Sequence, residues 1–239
     1  MLIGITTAPR PNGVSYLKQT MDSLRAAGGN KICVFAEPDS DLSELTQFDY
    51  LKDPGTSISW ATWGYRIGNY GNWFLSSGSM LGWAKESQED WILMCEDDVR
   101  FGSEPLSEIE MTLALLQDEH GDSTGPLLVY TSSVYQDRME PGIKIIDSRS
   151  LIGSCAMLWP VAALKRVVEC DRAKNWRGIG GQDSGAEIHH SDTAIGMCCD
   201  DLGLKIFAMR PCVCQHIGAI SSLHQFANNP EMFASHVKE

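Results

Sequence analysis

The chain has 239 residues, 19 basic against 31 acidic side chains for a formal charge of −12, and 43% hydrophobic residues. A chain this long buries roughly 70% of the surface its unfolded form exposes, so its eight cysteines are not needed as a disulfide framework. Its apolar runs, such as Trp91-Ile92-Leu93-Met94-Cys95, are strand-sized and exclude the roughly 18 to 20 residues of a membrane span, while the acidic excess opposes a polyanionic partner at long range.

Strand-like and helix-like patterns alternate from the first residue, the signature of an α/β architecture. Leu2 to Thr6 reads as a buried strand that enters the turn Thr7-Ala8-Pro9-Arg10-Pro11-Asn12-Gly13. A helix follows with Leu17, Met21 and Leu24 on one face, ended near Gly28-Gly29. Lys31 to Ala36 is a second buried strand, before an acidic loop from Glu37. The stretch Ser57 to Gly82 is rich in Gly, Asn, Ser and aromatics and is expected to be loop in part, with a helix from Leu75 to Lys85. Trp91 to Cys95 is apolar throughout, hence central, and ends in Glu96-Asp97-Asp98. Ser107 to Gln117 has the spacing of a helix and Leu127 to Tyr130 that of a strand. Short extended pieces are expected at Gly142 to Ile146 and Ser154 to Trp159, and Pro160 suits the first turn of a helix through Leu164, Val167 and Val168. Arg172 to His190 carries four glycines without a period and reads as a long loop. Ser191 or Asp192 caps the next helix and Gly203 stops it. Lys205 to Met209 and Val213 to His216 close the pattern. With no repeat or linker, residues 1–239 read as one domain with two functional halves, one to about residue 100 and one from about 101 to 239.

Three consecutive carboxylates at the end of a central strand raise one another's pKa unless a cation compensates. Ligands of open α/β sheets bind beyond the carboxyl ends of the strands, so Glu96-Asp97-Asp98 suits a nucleotide with its Mg²⁺ or Mn²⁺; a solvated acidic turn is the bland alternative. His216 at a strand end is equally an ordinary hydrogen-bonded residue, and Asp192 an ordinary N-cap. The cysteines suit core thiols, since Cys212 and Cys214 lack C-x-x-C spacing and a second pair.

Several features in order resemble the GT-A glycosyltransferases. They are the β-α-β start, the strand ending in Glu96-Asp97-Asp98, the segment Ile152-Gly153-Ser154-Cys155-Ala156-Met157, the helix opening Ser191-Asp192-Thr193, and Gln215-His216-Ile217-Gly218 before Ser221-Ser222-Leu223. The closing motif is similar to that of the N-acetylglucosaminyltransferase IV family and its bacterial and phage relatives. The resemblance implies a single-domain, Rossmann-like mixed sheet flanked by helices, and an inverting, metal-dependent transfer from a nucleoside-diphosphate sugar, UDP-linked by preference. It places Asp98 and His216 on Mn²⁺ or Mg²⁺, with Glu96 and Asp97 on the ribose or the metal's water shell. Gly153 falls beside the donor sugar, and Asp192 in the place of the catalytic base. Thr6, Thr7, Arg10 and Glu37 fall where nucleoside and pyrophosphate are held, and Asn69 and Asn72 are further donor-side candidates. The triplet begins with Glu rather than Asp. No leader, anchor or stalk precedes Leu2-Ile3-Gly4-Ile5, so a cytoplasmic protein is expected, in the host cytoplasm if phage-encoded.

Two acceptor classes stay open, a glycan hydroxyl and a hydroxymethylated pyrimidine in phage DNA. The second draws on Lys165, Arg166, Arg172, Lys174 and Arg177, a basic strip or else a solvated helix face. Trp176, Arg177, His189 and His190 are then candidates to stack on a flipped base. Rival readings are a sugar-nucleotide nucleotidyltransferase, which calls for a glycine-rich basic loop after the first strand, and a non-catalytic carbohydrate-binding protein using the tryptophans near residues 60 to 73.

Overall fold

The computed structural model describes residues 1–10, 13–43, 45, 57–64, 67–176 and 191–218. In chain order the elements are β1 (Leu2–Thr7), α1 (Leu17–Ala26), β2 (Lys31–Ala36), β3 (Ser57–Thr62), α2 (Gly68–Ser87), β4 (Trp91–Glu96), β5 (Val99–Phe101) and α3 (Leu106–His120). They continue with β6 (Thr124–Leu128), α4 (Ser133–Gln136), β7 (Gly142–Ile146), β8 (Ala156–Pro160), α5 (Val161–Glu169), α6 (Asp171–Lys174), α7 (Ser191–Asp201), β9 (Lys205–Arg210) and β10 (Cys214–His216). Eight strands form one mixed sheet in the order β3-β2-β1-β4-β8-β6-β9-β7, and β10 pairs antiparallel with β5 in a small second sheet. This is a GT-A-like fold. Among the described residues no helix is long and apolar enough to cross a membrane.

Alternation along the central strands sends side chains into two apolar layers. Ile3, Ile5, Ile32, Val34 and Leu93 join the layer that contains Leu17, Met21 and Leu24 of α1 and Ile109 and Leu113 of α3. Leu2, Phe35, Ile92 and Met94 join the opposite layer with Trp73 and Met80 of α2, Leu164 of α5 and Ile195 of α7. Strands buried on both faces are what the continuous apolar runs of the sequence require.

Several boundaries differ from expectation. Ser57–Thr62 is an edge strand, parallel to β2, although its residues are half-exposed on both faces and lack the apolar run of its neighbours. The helix expected from Leu75 begins at Gly68; a stretch full of Gly, Asn and Ser has low helix propensity, and packing of Tyr70, Trp73 and Met80 overrides it. The Schellman-like end of α7 matches the reading of Gly203, whose φ is 64° and which is followed by a hydrogen bond from Leu204 N to Cys199 O.

The chain runs outward from β1 to β2 and β3, then returns to the other side of β1 as β4. The carboxyl ends of β1 and β4 thus lie side by side at the point where strand order reverses, with Thr6 in register with Glu96. That is where an open α/β sheet leaves a crevice for a ligand.

Candidate functional site

The acidic triplet leaves the end of β4 at that crevice. Its turn is fixed from several directions: Glu96 N–H donates to Cys155 O at 2.8 Å, Thr20 Oγ1 of α1 donates to Asp97 O at 2.7 Å, and Ile217 N–H donates to Asp98 O at 2.8 Å. Asp97 and Asp98 are buried, at 3% and 4% exposure, so their charge demands compensation from within the protein.

Arg10 supplies it. Its Nη1 and Nη2 grip Asp97 Oδ2 and Oδ1 at 2.7 and 2.6 Å, and Nη2 also reaches Asp98 Oδ2 at 2.9 Å. The guanidinium lies over the Tyr16 ring at 5.1 Å, and Thr7 Oγ1 donates to Asp97 Oδ2. Arg10, expected among the residues that hold nucleoside and pyrophosphate, is engaged by the triplet itself, and both Asp97 oxygens are bonded within the protein. One compensating charge for the triplet thus comes from the protein itself, a guanidinium from the loop after β1.

His216 arrives from β10, held to β5 by the pairing of His216 with Val99. Its Nε2 lies 3.2 Å from Asp98 Oδ2, and the Tyr130 ring tilts against it at 6.1 Å. Burial alone would lower the His216 pKa, but the hydrogen bond and charge of Asp98 raise it. Burial pushes Asp98 up, yet His216 and Arg10 hold it below the ordinary carboxylate range. Asp97 is raised, because burial outweighs Arg10. Glu96, half-buried beside these charges, is pushed up to about 7 by burial and by Asp98. Gly218 completes the corner: a Cβ there would stand 2.2 Å from Asp98 Oδ2, so only glycine lets this strand end close over the carboxylate.

Asp98 Oδ1 is buried and has no hydrogen-bond partner. An orphaned carboxylate oxygen next to an imidazole and a second carboxylate, Glu96, is a donor set that Mn²⁺ or Mg²⁺ would satisfy, so the residues fit the expected ion.

Asp192 opens α7 from its first turn. Its Oδ1 accepts from Thr193 N–H at 2.8 Å and its Oδ2 from Gly153 N–H at a long 3.4 Å. Gly153 has φ 84° and a Cβ there would press on the Tyr130 ring at 3.0 Å, so glycine is required for the segment to pass here. Ser154 Oγ meets Ser191 Oγ at 3.2 Å. The Cys155 thiol, raised well above its ordinary value by burial and then by Glu96 and Asp98, also feels Asp192. One residue thus lies within electrostatic reach of both the triplet and the expected base.

The other donor-side candidates have different surroundings. Thr6 is buried with a long 3.5 Å bond to Cys95 O. Glu37 accepts from Ile67 N–H with both oxygens, at 3.2 and 3.0 Å, fixing the start of α2. Asn72 accepts from Trp63 Nε1 at 2.8 Å and Ser76 Oγ at 3.1 Å, and donates to Thr7 O at 3.3 Å; it clamps α2 to the end of β1. Asn69 is half-buried in the first turn of α2. Trp176 is half-buried with its ring 6.2 Å from that of Tyr70. Arg177, His189 and His190 lie outside the described residues.

Three of the four described members of the basic strip have local partners. Lys165 pairs with Glu169 at 2.6 Å, Arg172 pairs with Asp201, and Arg166 donates to Asp122 O and Leu202 O at 2.7 and 2.8 Å. Asp122 precedes β6 and Leu202 precedes β9, so Arg166 stands at the amino-terminal end of strands whose carboxyl ends face the triplet. Of the tryptophans near residue 60, Trp73 is buried, while Trp60 is 49% exposed on the edge strand.

Thr20, Tyr130 and Cys155 were not anticipated as site residues. A threonine within the apolar face of α1 was the one available signal for Thr20, and the other two sit in apolar runs that look like core.

No protein-family model and no curated protein matches the chain. Solved structures do. S. aureus TarS 1-349 superposes with a TM-score of 0.53 at 15% identity, over 87% of this chain and 58% of that one. The same protein in complex with UDP-GlcNAc superposes equally, with 56% of that chain covered. A putative glucose-1-phosphate thymidylyltransferase from Bacillus anthracis, in complex with a sucrose, gives 0.54 at 10% identity over 90% of this chain and 89% of that one. The chain spans under two thirds of the TarS chains, and at these identities the likeness is one of fold.

Proposed function

We propose that the protein is an inverting, metal-dependent glycosyltransferase that moves a sugar from a nucleoside diphosphate, UDP by preference, to an acceptor hydroxyl. The observation that carries this reading is the unpartnered Asp98 Oδ1 beside His216 at the sheet's switch point, with Asp192 held by the neighbouring Gly153 segment. The chain is read as one such domain, with donor contacts mainly from the half before residue 100. TarS was crystallised with UDP-GlcNAc, which supports a nucleotide-sugar donor for the shared fold.

Asp98 and His216, with Glu96 adjacent, would hold Mn²⁺ or Mg²⁺, which when bound supplies Lewis-acid stabilisation of the charge on the departing diphosphate. Arg10 holds Asp97 and Asp98 together against their mutual repulsion and leaves the buried Asp98 Oδ1 without a protein partner. Asp192 accepts the proton of the acceptor hydroxyl as that oxygen attacks, because an alcohol's own pKa lies far above neutrality. The Gly153 and Thr193 N–H groups orient its carboxylate, and the helix N-terminus favours its negative charge. Attack from the face opposite the leaving diphosphate inverts the anomeric centre.

The fold is shared with a nucleotidyltransferase, but the loop Thr7-Ala8-Pro9-Arg10-Pro11 has no glycine, and its arginine serves the triplet. A lectin reading does not need a buried carboxylate with an open oxygen. Between acceptors, a saccharide hydroxyl is favoured over DNA, since Lys165, Arg166 and Arg172 are paired and a phosphate backbone needs unspent cations. Incubation with a panel of UDP-sugars, Mn²⁺, and either oligosaccharide or hydroxymethylated-DNA acceptors, with mass spectrometry of products, is the test. An inverted glycoside product supports the reading; failure to bind any UDP-sugar in the presence of Mn²⁺ overturns it.

A further inference from the structure

Three potential ligands of different chemistry converge beside the proposed donor site: a carboxylate oxygen of Glu96, the sulfur of Cys155 and a ring nitrogen of His216 all lie within 4.8 Å of one another. They come from the end of β4, the segment before β8 and the end of β10, so the fold, not local sequence, assembles them. Among the described residues the Cys155 thiol and the Glu96 carboxylate make no side-chain hydrogen bond, and the buried Asp98 Oδ1 nearby is also unpartnered. Three carboxyl groups, Glu96, Asp97 and Asp98, crowd this corner, and Arg10 brings one guanidinium to Asp97 and Asp98. A divalent cation is therefore drawn here for reasons independent of any nucleotide.

We propose that Glu96, Cys155 and His216 form a site for a borderline-soft divalent ion of the zinc type, overlapping the hard-metal site through His216. Thiolate and imidazole select Zn²⁺ over Mg²⁺ or Mn²⁺, which prefer oxygen. A tetrahedral zinc needs its ligand atoms about 3.5 Å apart, so the trio closes by no more than about 1.3 Å on binding. Binding releases the thiol proton to solvent and leaves a zinc–thiolate bond; no redox partner is involved. The ion takes a ring nitrogen of His216, the residue shared with the hard-metal site, so zinc and the catalytic ion compete for it. Cys155 is then the residue that makes the protein sensitive to zinc.

Zinc-edge X-ray absorption on the full chain loaded with one equivalent of Zn²⁺ tests this directly. The expected shell holds one sulfur at about 2.3 Å with nitrogen and oxygen ligands. Co²⁺ in place of Zn²⁺ should give a thiolate charge-transfer band. Cys155→Ser should remove both signals and lower the ratio of Zn²⁺ to Mn²⁺ affinity at least tenfold. A shell without sulfur, or with two or more sulfurs, overturns the proposal, since the latter puts the ion at another cysteine group; so does a folded Cys155→Ser protein that binds Zn²⁺ as tightly. Should that variant not fold, the wild-type shell alone decides. Neither readout uses sugar transfer, so a sulfur-ligated zinc in a protein without turnover faults only the transferase reading, and turnover without it faults only this one.

Discussion

Arg10→Met is the most informative single change, because it asks whether the acidic triplet is held together by the protein itself. The Arg10 side chain is 3% exposed and makes hydrogen bonds at 2.7, 2.6 and 2.9 Å to two buried carboxylates. Methionine fills similar space but leaves those charges with no guanidinium. Removing one partner of a buried pair costs about 3 to 5 kcal/mol, which at an m-value of roughly 2 to 3 kcal/mol/M lowers the urea midpoint by roughly 1 to 2.5 M. The sign of the pH dependence follows from Asp97, whose carboxyl is already raised by burial despite Arg10. Without the guanidinium it rises further, so the folded variant takes up a proton more readily than the unfolded chain. Stability from such a group is present below the unfolded value of about 4 and lost as pH climbs through the folded one. The deficit of Arg10→Met is therefore full at pH 8 and shrinks toward pH 5. Adding Asp97→Asn should recover part of the loss, by about 0.5 to 3 kcal/mol of coupling. Unfolding curves of the three proteins at both pH values check this. A midpoint equal to wild type at pH 8, or a deficit unchanged at pH 5, would refute the compensation.

Four further outcomes are expected. Asp192→Asn should lower turnover by about 10²- to 10⁴-fold while UDP affinity measured by calorimetry stays; retained turnover removes the base. Gly218→Ala places a Cβ 2.2 Å from Asp98 Oδ2 and should cost about 1 to 3 kcal/mol together with at least tenfold in Mn²⁺ affinity. The control Gly203→Ala, at φ 64° in open space, should cost about 1 to 2 kcal/mol with Mn²⁺ binding intact. Asn72→Leu strands the Trp63 and Ser76 donors and should lose about 2 kcal/mol or more without loss of UDP affinity in the folded fraction; lost affinity at unchanged stability would make Asn72 a donor ligand instead. Glu96, raised to about 7, favours the metal-free fold when protonated, a contribution present below its unfolded value near 4.3 and lost as pH rises through 7. Added Mn²⁺ should accordingly raise the melting temperature more at pH 8 than at pH 6, and an equal shift at both would exclude Glu96 from the ion's surroundings.

What could be read from the chain alone was governed by distance along it. Trp91 to Cys95 announces a central strand because burial on both faces demands unbroken apolar residues, and the acids that end it announce a ligand site because sheet topology places crevices at strand ends. The β3 edge and the early start of α2 carry no such imprint, since there tertiary packing of Tyr70 and Trp73 overrides weak local propensity. Arg10 was legible as a residue near the site but not as the partner of acids 87 and 88 positions away. That pairing exists only because β1 and β4 lie in register. Cys155 was hidden for a similar reason: inside an apolar run it reads as core, and it meets Glu96 and His216 only through strands that the sequence does not order.

The charge of the chain illustrates the same limit with more at stake. A net of −12 argues against a polyanion, while five basic residues between 165 and 177 argue for a local exception. Neither count measures what an incoming phosphate would feel, which is the number of cations not already neutralised. Lys165 faces Glu169 one turn away, a pairing that i, i+4 spacing foretells. Arg172 faces Asp201 across 29 residues, and Arg166 caps carbonyls at the end of the sheet remote from the triplet. Lys174 alone among the described members of the strip has no such partner. Among the described members of the strip, one exposed lysine supplies about one phosphate contact, far from the six to ten of proteins that bind DNA strongly through their salt-dependent contacts. The acids of the site tell the opposite story, since Asp98 keeps an oxygen free in spite of Arg10 and His216. Excess negative charge that survives internal pairing is what recruits a cation, and it survives at the crevice between β1 and β4.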